Sequence, residues 1–75
     1  MTADQVLRLQ NAAPFKPYWI LLADGRSLTV KHPDYVSVSG ENEIISVEDD
    51  SGGVEIIDLA LVISLRYGTP PTARV

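Results

Sequence analysis

A chain of 75 residues with a formal net charge of -4, no cysteine and one histidine has room for one domain with a thin core. It excludes disulfides, thiolate metal sites and any site that needs two histidines. The basic residues Arg8, Lys16, Arg26, Lys31, Arg66 and Arg74 are spread singly, and positions 41 to 65 carry seven acids with no Lys or Arg, so the patch that a nucleic-acid binder needs is missing.

From the N-terminus, Thr2-Ala3-Asp4-Gln5 has the pattern of a capping box, a hydroxyl residue followed three positions on by Gln. Val6, Leu9 and Ala13 follow at helical spacing. A helix is expected from about Ala3 to Ala12, ended by Pro14 and Pro17. The opening residues have no basic n-region and no apolar h-region, so no signal peptide is expected and the cytoplasm is the default compartment. No apolar run is long enough to span a membrane.

From Tyr18 the period changes to two. Tyr18, Ile20 and Leu22 share one face and Trp19, Leu21 and Ala23 the other. Asp24-Gly25 is a hairpin signal, because both residues tolerate positive φ. Leu28 and Val30 lie on the return strand, which Lys31-His32-Pro33-Asp34 interrupts and Tyr35, Val36 and Val38 resume. A turn at 39–42, a strand Ile44–Val47, a hairpin tip at 49–53 and a strand Val54–Ile57 follow. Asp58-Leu59-Ala60 makes a corner, and Ile63 and Leu65 alternate with Ser64 and Arg66 in the last strand. The domain spans 1–67, and 68–75 is expected to be a disordered tail.

The expected fold is mainly β: an N-terminal helix, then about five strands in a strongly bent antiparallel sheet or small barrel. Trp19, Leu21, Ile44, Ile57 and Val62 are large apolar residues at positions read as outward. Either the sheet is covered on both faces or these residues meet another subunit. A small chain without staples gains stability from association, so a homo-oligomer is expected, with a protein partner as a further role.

Pro14-Phe15-Lys16-Pro17-Tyr18, Leu22-Ala23-Asp24-Gly25-Arg26, Val30-Lys31-His32-Pro33-Asp34-Tyr35, Asp49-Asp50 and Glu55-Ile56-Ile57-Asp58 together resemble a family of very short bacterial proteins of the planctomycete type. The resemblance runs from about residue 3 to 66 and implies no functional residues, since that family has no assigned activity. The order of elements is also similar to the Sm-like fold, through Ile20–Gly25, Asp34-Tyr35-Val36 and the closing Ile57–Leu65. That similarity implies a small barrel, akin also to SH3-like domains, and ring-like or pairwise assembly. The closing segment lacks the Arg-Gly of Sm proteins and the Lys-His of the bacterial RNA chaperone of this fold, so the familiar RNA pocket is not implied.

The stretch with the most chemistry is Lys31-His32-Pro33-Asp34-Tyr35, a candidate ligand loop made of Lys31, His32, Asp34 and Tyr35. His32 near Asp34 could form an acid/base pair, although turn chemistry alone accounts for these residue types. No nucleophile or oxyanion donor accompanies them, so an enzyme is not expected. Asp49-Asp50-Ser51-Gly52 holds a fragment of a calcium loop without its distal bidentate carboxylate, or is simply a hairpin tip. Trp19 with Tyr18 and Tyr67 could stack bases only beside a cationic groove. Asp58 either caps the corner or bonds across a subunit boundary. No cofactor and no metal are expected. The reading is a non-enzymatic, self-associating interaction module, with single-stranded RNA binding near Lys31, His32 and Tyr35 as the alternative.

Overall fold

The computed structural model describes residues 1–41 and 43–71. It is mainly β, with one helix, α1 (Ala3–Gln10), and six strands: β1 (Tyr18–Leu22), β2 (Ser27–Val30), β3 (Val36–Ser39), β4 (Ile44–Glu48), β5 (Val54–Asp58) and β6 (Val62–Tyr67). Short 3-10 turns at Pro33–Tyr35 and Leu59–Leu61 precede β3 and β6. Asn42 and the part of the expected tail at residues 72–75 lie outside the described residues.

The strands form two antiparallel three-stranded sheets, ordered β2-β1-β6 and β3-β4-β5. This corrects the expectation of a five-stranded sheet or closed barrel. Pro33 lacks a ladder donor and opens a 3-10 turn, which splits the interrupted return strand into β2 and β3 and passes the chain from one sheet to the other. The second 3-10 turn ties the two sheets at their far end: Ala23 N donates to Leu61 O and Leu59 N to Glu43 O, each at 2.9 Å.

The core lies between the sheets and under the helix. Tyr18, Ile20, Val30 and Ile45 are fully buried there with Val6. β1 buries alternate residues, as the period-two pattern requires. The helix starts with Gln5 Oε1 accepting from Thr2 N (3.2 Å) and Thr2 Oγ1 (3.1 Å). It ends at Gln10, two residues short of Ala12, where Asn11 N closes on Leu7 O. Its buried stripe is Ala3, Val6 and Gln10, while Leu9 is half-buried and Ala13 exposed.

Gln10 is the one polar side chain among the buried described residues. It accepts from the Tyr18 hydroxyl at 3.0 Å and donates to Val36 O at 3.4 Å. A single amide thereby links α1, β1 and β3. Burial pushes the Tyr18 phenol up to about 12, because the charged form would lose its hydration.

Two of the five residues read as outward are core residues. Ile57 pairs with Ile45 across β4 and β5 and is 4% exposed. Its neighbour Ile56 takes the outer face at 73% exposure. Val62 pairs with Leu22 and is also buried. The register shifts between Leu21 and Leu22, so β6 carries one extra residue, Ile63, which bulges out of the ladder. Ile63 is therefore exposed, while Val62 and Leu65 both turn inward. Trp19 and Leu21 are half-buried on the outer face of β1, and Ile44 is exposed on β4.

Candidate functional site

The loop singled out from sequence joins β2 to β3 and meets a second element, the β4–β5 hairpin tip. Lys31 forms an ion pair with Asp50, nineteen residues further along, and the Tyr35 hydroxyl donates to the other oxygen of the same carboxylate at 3.2 Å. His32 sets its ring edge-to-face against Tyr35, with centroids 4.9 Å apart. Asp34 is exposed in the 3-10 turn. The structure thus joins Lys31, His32 and Tyr35 to Asp50. The acid that matters to the loop comes from the hairpin tip and not from Asp34.

The electrostatics follow from these contacts. The Lys31 ammonium and the Tyr35 hydroxyl hold the Asp50 carboxyl below the usual carboxylate range. The same carboxylate raises the Lys31 ammonium and, through its hydrogen bond, the Tyr35 phenol. The tip itself is an Asx turn. Asp49 Oδ1 accepts from Ser51 N (2.9 Å), Ser51 Oγ (2.6 Å) and Gly53 N (2.9 Å). These bonds lower the Asp49 carboxyl, the Ser51 hydroxyl contributing most. Asp49 Oδ1 is thereby engaged by the turn. Among the described residues no group of three or more His, Cys, Asp or Glu is placed to hold a metal ion.

Two further ion pairs, which share Arg26, lie at the other end of β2. Arg26 Nε meets Asp24 Oδ2 at 2.8 Å, and Arg26 Nη1 meets Glu55 Oε1 at 3.0 Å. Backbone and side-chain bonds from Arg26 lower the Asp24 carboxyl. β2 is therefore flanked by two cations, Arg26 and Lys31, each reaching across to the β4–β5 hairpin. Between these two clasps runs a cleft of about 380 Å³. Leu28, Tyr35 and Val47 form its apolar part, and Glu48, Asp49, Asp50 and Glu55 its acidic rim.

A second groove of about 380 Å³ lies between the β1–β2 hairpin and β5, with Leu22, Ile56, Ile57 and Leu61 among its lining residues. Asp58 Oδ1 caps the 3-10 turn beside it by accepting from Ala60 N at 2.9 Å. Lys16 Nζ lies 6.0 Å from the Tyr67 ring centroid, and Arg66 donates to Thr69 O (3.1 Å) and Thr69 Oγ1 (2.9 Å). Trp19 pairs with Arg66 across β1 and β6, whereas Tyr67 pairs with Tyr18 one position on. Alternation puts Trp19 and Tyr67 on opposite faces, so they form no common stacking platform.

Sequence reasoning missed Asp50 as the partner of Lys31 and Arg26 as the partner of Glu55. Both pairs cross from one sheet to the other, and local spacing carries no trace of them. Among the described residues no helix is long and apolar enough to cross a membrane. Comparison with protein-family models, curated proteins and solved structures finds no match.

Proposed function

We propose that the chain is a non-enzymatic interaction module that self-associates through the outward apolar side chains around β5, the second 3-10 turn and β6. The observation that carries this reading is the exposure of Ile56, Ile63 and Leu61, at 73%, 59% and 53%. Ile56 and Leu61 line one groove with the buried Leu22 and Ile57. Among the described residues β5 and β6 are each bonded on one side only, and an unpaired edge with apolar side chains favours pairing with another chain. The element order, with a helix in front and a 3-10 turn before the last strand, supports the Sm-like or SH3-like comparison in an unclosed form. The nucleic-acid alternative loses support, because Lys31 is neutralised by Asp50 inside an acidic rim.

Light scattering over a range of concentrations tests the reading. The parent chain is expected to associate, and Ile56→Lys combined with Ile63→Lys to return it to a monomer with an unchanged circular dichroism spectrum. A parent chain that stays strictly monomeric at high concentration would overturn it.

A further inference from the structure

The cleft between β2 and the β4–β5 hairpin has a property that side chains alone do not reveal. Leu22 N donates to Arg26 O at 2.9 Å. In an antiparallel ladder the closely bonded pairs recur at every second residue, so Ile20–Leu28 and Tyr18–Val30 direct their backbone groups at each other. The intervening residues Ser27 and Thr29 then aim their N–H and C=O groups away from β1. Among the described residues β1 is the only sheet partner of β2, and both residues line the cleft. Among the described residues the cleft therefore has a strand edge whose outward donors and acceptors meet no other strand. Its apolar part is formed by Leu28, Tyr35 and Val47, and its opposite wall carries Glu48, Asp49 and Glu55.

We infer that this cleft receives an extended, basic peptide segment of a partner protein, which adds as a strand to β2. The peptide backbone bonds Ser27 and Thr29. Its alternate side chains divide between Leu28 with Val47 on one side and the carboxylates on the other. The charge balance selects the partner, since four carboxylates line the cleft against two cations, Lys31 in the lining and Arg26 at its end. Incoming Lys or Arg side chains replace the clasps that Arg26 and Lys31 now make with Glu55 and Asp50. Extended-strand addition gives affinity through main-chain bonds and selectivity through alternate side chains. The inference goes beyond self-association and uses the β2 side of the molecule, so the two can fail separately.

The probe is the capped pentapeptide Lys-Val-Lys-Val-Lys, followed by nuclear magnetic resonance titration of the full chain at low salt. Saturable shifts centred on the amides of Ser27 and Thr29 are expected. A Glu48→Lys variant, changed at an exposed position, should bind about tenfold more weakly. The same peptide with N-methylated backbone amides should bind at least about tenfold more weakly as well. The monomeric Ile56→Lys, Ile63→Lys variant should bind like the parent, which separates this result from that of the assembly test. Absence of binding, equal binding of the N-methylated peptide, or shifts scattered over the acidic surface would each overturn the inference.

Discussion

Replacing Gln10 by alanine removes the amide that joins α1, β1 and β3, and the structure indicates which of its two bonds matters more. The Tyr18 hydroxyl donates to Gln10 at 3.0 Å, while the bond from Gln10 to Val36 O is long at 3.4 Å. Tyr18 is fully buried, so its stranded hydroxyl costs about 2 kcal/mol, within the range for an unsatisfied buried donor. The Val36 carbonyl adds less than about 1 kcal/mol, since its bond is weak to begin with. The loss of about 2–3 kcal/mol corresponds to a fall in Tm of roughly 10–20 °C for a domain of this size. Tyr18→Phe alone strands the Gln10 carbonyl oxygen and should cost about 1–2 kcal/mol. Gln10→Ala with Tyr18→Phe removes both polar ends and should cost less than the sum of its parts by at least about 1 kcal/mol. Thermal melts and urea titrations followed by circular dichroism supply all four corners of the cycle. A Gln10→Ala melt within a few degrees of the parent, or strictly additive losses, would refute this account of the core.

Two pH predictions follow from the charged groups. The folded-state pKa of Tyr18, about 12, lies above its unfolded value, so its contribution is intact below about pH 10 and falls as pH rises from about 10 to 12. Up to about 2–3 kcal/mol is lost over that window, and alkaline melts should show this extra slope in the parent but not in Tyr18→Phe. Asp24, Asp49 and Asp50 are held below the ordinary carboxylate range. Their contribution is present above the unfolded pKa and is lost as pH falls through the folded values. Melts between neutral pH and about pH 2 should show that loss, diminished by added salt because the groups are exposed; a salt-independent acid transition would contradict it.

Much of the fold was legible because burial follows simple periods. Tyr18, Ile20 and Leu22 alternate with half-buried neighbours, and the Asp24-Gly25 turn has the positive φ at Gly25 that the residue type suggests. Phase was harder than period. In Glu55-Ile56-Ile57 two adjacent isoleucines compete for one inward position, and only the pairing of Ile57 with Ile45 decides between them. In β6 the bulge at Ile63 adds a residue, so an alternation counted backward from Leu65 buries the wrong side chain. Gln10 was passed over because a glutamine near a helix end ordinarily faces water, and its partners lie 8 and 26 residues away. Of the candidate site, the loop Lys31–Tyr35 was visible as a cluster of chemical types. Its counterpart on the hairpin was visible only as a turn.

The pairing of β1 with β6 has a consequence for how the chain acquires its shape. Every other strand pairing joins elements next to each other along the chain, so those hairpins can zip up locally and early. The β1–β6 ladder instead brings Tyr18 to Tyr67 and Leu22 to Val62, and its closure must overcome the entropy of a loop that takes up more than half of the chain. Ending the chain before Val62 would leave β1 without that neighbour.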